Sequence, residues 1–207
     1  MSIKNVLIIK SSPAGDSSVS NQVADDFTAQ IKNKDASINV VVRDLAVTQA
    51  PQLDSATLGA FFTPADQASA QQIALSAPSI EYIDELKEAD LIVVASAMHN
   101  FSITSLLKSY VDQICRAGLT FHYTANGPEG LLTNKKALVI ASAGGDYSQD
   151  FMQAMDFQTP YLKQIFKFVG VDDFTAVPVQ GVAGGGENTS NIIENAKQKI
   201  KQFINTL

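Results

Sequence analysis

Five short apolar runs, rich in β-branched residues, recur along this 207-residue chain and constrain its fold more than any other feature. The runs are residues 6–9, 38–42, 91–95, 137–141 and 175–179. Longer segments with helical spacing separate them, so strands alternate with helices. Strands that are apolar on both faces suit a parallel sheet, because right-handed crossovers cover both of its sides with helices. The pattern predicts an α/β fold with a doubly wound five-stranded parallel sheet and helices on both faces.

The helices can be placed coarsely from the same periodicity. They are expected at residues 20–32, 79–88, 105–116, 159–169 and 188–205. Two long connections, residues 46–78 and 117–134, interrupt the alternation, and long loops in compact domains are usually functional or interfacial. No repeat or shift in composition divides the chain, so residues 1–207 are expected to form a single domain.

Composition narrows the possible partners. The net charge of −6 gives no basic footprint for nucleic acid or anionic lipid. No stretch approaches the roughly 20 apolar residues that cross a bilayer, and residues 6–9 are too short for a signal-peptide core. Cys115 is the only cysteine, which excludes an intrachain disulfide. We therefore expect a cytoplasmic protein that acts on small molecules, without a membrane, a nucleic acid or a metal.

The segment after the first strand, residues 11–22, is dense in serine and leads into a helix. A helix N-terminus leaves backbone N–H groups unpaired, and serine hydroxyls add neutral donors, so the segment is suited to a phosphate. It contains neither of the glycine motifs that bind dinucleotides or nucleoside triphosphates, which favours a monophosphate. An alternative stays open, because Ser18 or Ser20 could serve only as a helix N-cap.

The loops after the third and fourth strands provide candidate walls for a flat ring. Ligands of open parallel sheets bind beyond the carboxyl ends of the strands, where the winding direction switches. Residues 96–103 include an aromatic ring, a thioether and side chains that can hydrogen-bond a ring edge. Residues 142–146 include two glycines, which allow close backbone approach. Together with the serine-rich segment, these loops predict a site for a ring that carries a monophosphate.

Motifs spread over nearly the whole chain resemble those of one known family. They are Lys10-Ser11-Ser12, residues 18–22, residues 43–45, Met98-His99-Asn100-Phe101, residues 116–124, 126–131, 160–162 and 168–170. The Gly-Pro-Glu-Gly stretch at 127–130 is quite specific. In these motifs the chain resembles the FMN-dependent NADH-azoreductases, relatives of the NAD(P)H:quinone reductases, which are flavodoxin-like homodimers.

The resemblance implies one FMN per subunit and a set of residues around it. The FMN phosphate would be held by Ser11, Ser18, Val19 and Ser20. The ring would contact Ala97, Met98, His99, Asn100 and Phe101, and its other side would be closed by Ser142, Gly144 and Gly145. Tyr123 and Phe168 would line the pocket that nicotinamide and acceptor share. The family commonly has proline, tyrosine and arginine at three positions where this chain has Ala97, His99 and Ala143, which bears on loop rigidity and acceptor choice.

The implied activity is two-electron reduction of quinones and azo compounds with NADH or NADPH as donor. In this ping-pong scheme the donor gives a hydride to the flavin and leaves before the acceptor enters the same pocket. His99 would either donate a proton to the acceptor or contact the ring edge. A homodimer with its sites at the interface is expected, because Phe61, Phe62 and Phe121 in the long connections are hard for a monomer to cover.

Two other classes of function stay open from the residues. A flavodoxin-type electron carrier would share the acidity, but carriers are usually shorter and lack a connection such as residues 117–134. A hydrolase would need a His/Asp partner for the serine-rich segment, and no recognisable spacing offers one. Rapid reduction by NADH separates an enzyme from a carrier, whereas a colourless protein that FMN cannot reconstitute would favour a hydrolase.

Overall fold

A parallel sheet forms the centre of the molecule, which a computed structural model describes for residues 2–207, without the side chain of residue 150. The strands, in chain order, are β1 (Asn5–Lys10), β2 (Asn39–Asp44), β3 (Leu91–Ala97), β4 (Phe121–Thr124), β5 (Gly127–Gly130), β6 (Lys136–Ala143) and β7 (Asp173–Gln180). Five of them pair in the order β2-β1-β3-β6-β7, and β4 and β5 form a separate antiparallel hairpin. The predicted five-stranded parallel sheet is confirmed, and each predicted run overlaps an observed strand.

Helices cover both faces of this sheet. They are α1 (Val19–Lys34), α2 (Ser55–Phe62), α3 (Ala70–Glu88), α4 (Ser105–Ile114), α5 (Asp150–Gln153), α6 (Thr159–Val169) and α7 (Gly186–Asn205). Helices α1 and α7 share one apolar cluster with the sheet, whereas α3, α4 and α6 share the other. In the part of the chain described, no helix combines the length and the hydropathy that crossing a membrane requires.

The two apolar clusters lie on opposite faces of the same strands. Along β1, Leu7 and Ile9 point into one cluster, and Val6 and Ile8 point into the other. This alternation follows from the two-residue period of a strand. Burying each such side chain contributes roughly 1.5–3 kcal/mol, so a strand that is apolar on both faces is stabilised from both sides.

The sheet edges differ from its centre. Val41 and Val42 on β2 are 39% and 50% exposed, because β2 is an edge strand that no helix covers fully. The expectation of burial on both faces is therefore wrong for the second apolar run. At the other edge, β7 carries Pro178, whose missing N–H is tolerated only where no further strand pairs.

The first long connection is helical, which corrects the prediction of a loop at residues 46–78. It contains α2, and α3 begins at Ala70 rather than at Ser79. A capping box starts α3: Gln72 N–H donates to Ser69 Oγ at 3.3 Å, and Ser69 N–H donates to Gln72 Oε1 at 3.0 Å. Helix α3 then continues through Pro78, a residue that usually ends or kinks a helix.

The second long connection is also ordered, and the helix before it ends at Ile114 rather than at residue 116. Residues 121–130 form the β4–β5 hairpin. Its base is tied to the end of α4, because Thr120 Oγ1 donates to the Ile114 carbonyl at 2.6 Å.

After the hairpin, Leu132 N–H donates to the Val169 carbonyl at the end of α6. Lys136 N–H donates to Asp90 O, next to the start of β3. The hairpin therefore lies at the amino edge of the sheet.

Candidate functional site

The loops that follow β1, β3 and β6 meet at the carboxyl edge of the sheet. The strand order places the switch in winding direction between β1 and β3. Ser11 N–H donates to the Ala95 carbonyl at 3.2 Å, and Met98 N–H donates to the Ser142 carbonyl at 2.8 Å. The structure thus brings together the serine-rich segment, residues 97–101 and residues 142–145, as the sequence predicts.

Ser11 connects strands and is not free to donate to a ligand in this structure. Its side chain is fully buried, and its Oγ donates to the Ala95 carbonyl at 2.8 Å. A hydroxyl has one proton, so this bond uses the donor that a phosphate would need. Thr104 Oγ1 in turn donates to the Ser11 carbonyl at 2.8 Å. The assignment of Ser11 to a phosphate stays a prediction, and the contacts here show it holding the loop in place.

Ser18 and Ser20 stand at the N-terminus of α1 with Val19 between them. Ser18 is the N-cap residue, but its side chain makes no capping hydrogen bond, and Ser20 lies inside the first turn. Both side chains are buried, and their hydroxyl oxygens lie 3.1 Å apart. Ser18 therefore occupies the N-cap position of the alternative interpretation, but neither serine caps the helix through its side chain in the observed geometry. Two paired hydroxyls beside a helix N-terminus fit a phosphate group.

Asn21 fixes the loop in front of this helix. Its Nδ2 donates to the Gly15 carbonyl at 3.0 Å, while its Oδ1 is buried without a hydrogen-bond partner among the described residues. Gly15 has a φ of 56°, in the left-handed region that favours glycine. A buried amide that closes this glycine turn restrains residues 15–21, which favours a preformed site over a mobile loop.

The loop after β3 is a tight turn in an unusual conformation. His99 N–H donates to the Ser102 carbonyl at 2.8 Å, and Ser102 N–H donates to the His99 carbonyl at 3.1 Å. The two central residues, Asn100 and Phe101, have φ values of 49° and 71°. Positive φ costs a residue other than glycine of order 1–3 kcal/mol and clusters at ligand sites. The turn leaves the side chains of His99, Asn100 and Phe101 exposed at the carboxyl edge.

The segment before α6 supports this turn. Phe157 N–H donates to the Phe101 carbonyl at 2.9 Å, and Ser102 Oγ donates to the Phe157 carbonyl at 3.4 Å. Next to it, Gln158 Nε2 donates to Ser96 Oγ at 2.9 Å. Sequence reasoning missed Gln158, because a polar residue directly before a Thr-Pro helix start is typical of an ordinary cap position.

The loop after β6 closes the edge beside β7. The carbonyls of Gly144 and Gly145 accept hydrogen bonds from Ala183 N–H and Gly181 N–H, at 3.1 and 2.9 Å. Both glycines are exposed, and a Cβ on either would come within 3.3 Å of a neighbouring side chain. Ser142 itself is buried, with its Oγ 3.5 Å from the Ser96 carbonyl. The glycines can therefore face a ligand, whereas Ser142 acts mainly by holding Met98.

Tyr123 and Phe168 lie elsewhere in the molecule. Both belong to an aromatic cluster around Phe121, whose ring centroid is 5.5 Å from that of Tyr123 and 4.4 Å from that of Phe168. The cluster joins the hairpin to the end of α6, at the amino edge of the sheet. Within one subunit, the structure does not bring Tyr123 or Phe168 to the loops at the carboxyl edge.

The arrangement is suited to binding rather than to nucleophilic catalysis by serine. Ser11 donates to a carbonyl, and Ser18 and Ser20 contact each other. Among the hydrogen bonds of the described residues, none pairs these three hydroxyls with a histidine, which a serine nucleophile would need as its base. The hydrolase alternative therefore has no support in the geometry.

Comparisons with known proteins agree with this architecture. A family model described as flavodoxin-like fold matches residues 4–204. An FMN-dependent NADH:quinone oxidoreductase of Hydrogenovibrio crunogenus is 43% identical over 199 residues, which are 96% of this chain and 98% of that protein. The enzyme of the same name from Agrobacterium fabrum is 39% identical over 201 residues, 97% of this chain and 98% of that one.

A solved structure shows the same likeness in three dimensions. The FMN-dependent NADH-azoreductase from Bacillus anthracis, in complex with FMN, is 28% identical with a TM-score of 0.89 and a coverage of 99% of each chain. Fold and site together define a flavodoxin-like protein with a ligand site at the switch point of its sheet. The chain belongs to the flavodoxin-like family of FMN-dependent NADH:quinone oxidoreductases.

Proposed function

We propose that this protein is an FMN-dependent NADH:quinone oxidoreductase that also reduces azo compounds. The observation that carries the proposal is the meeting of the α1 N-terminus, with its paired Ser18 and Ser20 hydroxyls, and the Asn100-Phe101 turn at one sheet edge. The names of the curated relatives and of the Bacillus anthracis structure support the cofactor, the donor and the acceptors.

The residues of the site have distinct roles in this proposal. Ser18, Ser20 and the first N–H groups of α1 bind the phosphate. The turn at Asn100-Phe101 and the glycine loop at 144–145 orient the ring from two sides. Any backbone N–H groups that meet the ring would stabilise negative charge on it more effectively than solvent does, because they need no reorganisation. FMN, when bound, would supply the hydride chemistry between NADH and the acceptor, and the residues named here would hold and orient it.

His99 has two roles open to it. Its side chain is exposed at the rim of the site, where it is placed to meet an acceptor that lies over the ring. A histidine side chain is a common proton donor in enzyme sites. The alternative is a contact to the ring edge. Both roles follow from the position of the turn.

A homodimer with shared sites is part of the proposal. Tyr123 is 74% exposed and Phe157 is 59% exposed, although both are large aromatic side chains. We propose that Tyr123 and Phe168 of one subunit cover the carboxyl-edge loops of its partner. This would reunite residues that a single subunit keeps apart, and an exposed aromatic ring beside a flat cofactor is a favourable partner for stacking.

The expected interface aromatics need one correction. Phe121 is only 7% exposed, because Phe168 covers it within the same chain. Phe61 is covered by the Arg116 guanidinium, 3.6 Å from its ring centroid. Phe62, at 76% exposure, is the one of the three that fits the expectation of an uncovered aromatic.

The proposal also includes a single domain and a cytoplasmic location. One sheet with an apolar cluster on each face supports a single domain over residues 1–207. A chain with one cysteine has no need of an oxidising compartment, which supports a cytoplasmic location.

The direct test is spectroscopic and kinetic. We expect the purified protein to be yellow or to become so with FMN, and NADH to bleach it rapidly in a stopped-flow instrument. Double-reciprocal plots at several acceptor concentrations should be parallel. A colourless protein that FMN cannot reconstitute would refute the proposal, and slow reduction by NADH would indicate an electron carrier. Intersecting lines would mean that donor and acceptor bind together.

A further inference from the structure

Gln158 is a buried amide next to the site with no role in the function proposed above. Its side chain is fully buried just before α6. The Nε2 atom donates to Ser96 Oγ at 2.9 Å, and the Oε1 atom has no hydrogen-bond partner among the described residues. A buried polar atom without a partner destabilises a fold, whereas an apolar side chain of similar size would not. Packing alone therefore does not account for glutamine here.

The location of this amide links α6 to the turn at the carboxyl edge. Ser96 precedes the turn, and Phe101 and Ser102 at its far end bond to the Phe157 backbone. Residues 157–158 therefore hold the segment 96–102 at both ends. Two further bonds fix these residues to the helix, because Asp156 Oδ1 accepts from Gln158 N–H at 2.8 Å and from Thr159 N–H at 3.0 Å.

The turn needs such support. Asn100 and Phe101 hold φ values that are unfavourable for residues with a side chain, so the turn relaxes unless its ends are fixed. Ala97 does not restrict its own φ as a proline would. Ser96 and Ala97 are held by pairing with β6, and Met98 N–H donates to the Ser142 carbonyl. Beyond residue 98, the segment depends on the two bonds between His99 and Ser102 and on the bonds to Phe157.

We propose that Gln158 is a positioning residue: by donating to Ser96 on β3 it fixes residues 157–158, whose backbone holds the far end of the segment 96–102 in the conformation that receives the flavin ring. This rests on the proposed function. Gln158 does not touch the ligand, since it is fully buried. Its effect reaches the site through the Phe157 backbone, which bonds to Phe101 and Ser102. The unpartnered Oε1 lowers the stability of the fold, and in return the turn is held in one conformation.

The test uses Gln158→Met, which keeps the volume and removes the hydrogen bond. Gln113→Met is a matched control, because Gln113 is also fully buried, donates from Nε2 to the Pro51 carbonyl at 2.9 Å and has an unpartnered Oε1. Gln113 lies near the end of α4, away from the turn. Ser96→Ala removes the same bond as Gln158→Met from its other end and decides the question if Gln158→Met fails to fold.

Three quantities are measured: amide exchange of residues 98–102 in the apoprotein, the Kd for FMN by fluorescence quenching, and the apoprotein Tm. For Gln158→Met and Ser96→Ala we expect about fivefold faster amide exchange and a Kd for FMN raised about three- to tenfold. These changes correspond to the loss of one buried hydrogen bond. We expect Gln113→Met to leave both unchanged. The Tm of Gln158→Met should not fall more than that of Gln113→Met.

The proposal would be overturned if the amide exchange rates of residues 98–102 and the Kd for FMN stayed within twofold of the wild type in both Gln158→Met and Ser96→Ala. Equal changes in Gln113→Met would overturn it as well. A wild-type protein that does not bind FMN would instead refute the proposed function, and the exchange measurement would still decide whether Gln158 holds the turn.

Discussion

Gly130 and Gly170 pack backbone against backbone where the β4–β5 hairpin rests on the end of α6. A Cβ on Gly130 would lie 2.1 Å from the Gly170 nitrogen, and a Cβ on Gly170 would lie 2.8 Å from the Gly130 carbonyl carbon. Gly170 also has a φ of 102°, which ends α6 in the left-handed region. Only glycine allows this contact on either side, and the contact sets the position of the hairpin that carries Tyr123.

Gly130→Ala should destabilise the protein by at least about 2 kcal/mol, because the new methyl group meets backbone that cannot move aside. For a chain of this size, that lowers the Tm by about 4–8 °C. Gly59→Ala is the matched control, since Gly59 lies in α2 with open space around it. It should raise stability by about 0.5–1 kcal/mol. A neutral Gly130→Ala would show that the hairpin is free to shift on α6.

Ser18→Asp should weaken FMN while leaving riboflavin nearly unaffected. Aspartate is a good N-cap, so α1 should survive. Like charges about 4 Å apart at an effective dielectric near 20 repel by roughly 4 kcal/mol, and half of that is a loss of about 30-fold. Ser17→Asp places the same charge one residue earlier on an exposed side chain and is the control. Titration of the apoproteins by fluorescence quenching measures both flavins. Equal losses for FMN and riboflavin would contradict the phosphate assignment.

Light scattering should give a mass of about 44 kDa, twice the 22.1 kDa of the chain, as expected for a closed dimer. Dilution to nanomolar concentration should lower specific activity as the dimer dissociates. Full activity from a 22.1 kDa species would contradict shared sites.

Mixed dimers test whether Tyr123 serves the partner's site. Tyr123→Ala should change stability by less than about 0.5 kcal/mol, because the side chain is 74% exposed. Alone, Tyr123→Ala and Ser18→Asp should each have low activity. Co-expressed, they should regain activity, since one of the two sites in a mixed dimer would combine an intact phosphate segment with an intact Tyr123. No recovery in purified mixed dimers would place Tyr123 at its own subunit's site, and full activity of Tyr123→Ala alone would place it outside the site.

The Cys115 thiol should be unreactive and should make stability fall at high pH. Burial, helped by the nearby negative charge of Asp112, raises the pKa of Cys115 from 9.0 to about 11. The thiolate fraction at pH 8 is then about 100-fold smaller than in the unfolded chain, so alkylation of the native protein should be slow. Because the pKa of the thiol is higher in the folded protein than in the unfolded chain, the buried neutral thiol contributes its full stabilisation below pH 9. This contribution is lost as the pH rises from 9 to 11.

Cys115→Ala provides the comparison for this pH dependence. The decline in unfolding free energy between pH 9 and 11 should be shallower in the variant, by at most about 2.7 kcal/mol. Other groups contribute to the decline in both proteins, including Tyr161, whose pKa burial raises to about 12. Identical slopes would show that the thiol titrates normally in the folded protein.

Local periodicity predicts the strands and most helix ends in this protein, because buried runs and apolar stripes are properties of neighbouring residues. Helix α6 begins and ends at the predicted residues 159 and 169. The predicted start of α3 at residue 79 is wrong: Pro78 is typical of a helix boundary, but the Ser69 and Gln72 pair is a capping-box signal that predicts an earlier start. The Asn126-Gly127 dipeptide likewise indicated a turn in the second long connection.

The composition of the site was predictable, but the use of each side chain was not. Ser11, Ser18 and Ser20 look alike in sequence, yet only the positions of β3 and α1 decide which hydroxyl is already bonded. The bond between Gln158 and Ser96 joins residues far apart in the chain, and no local pattern reports it. The separation of Tyr123 from the carboxyl-edge loops depends on where the hairpin docks, which is a property of the whole fold.

Pro178 has a consequence for how copies of this protein can meet. It stands on β7, one of the two edge strands of the sheet, and it has no N–H group to offer an added strand. Addition of a further strand on this side is therefore disfavoured. The protection covers the β7 edge alone, because β2 at the opposite edge has no proline and exposes Val41 and Val42, so pairing of two copies edge to edge would have to use β2.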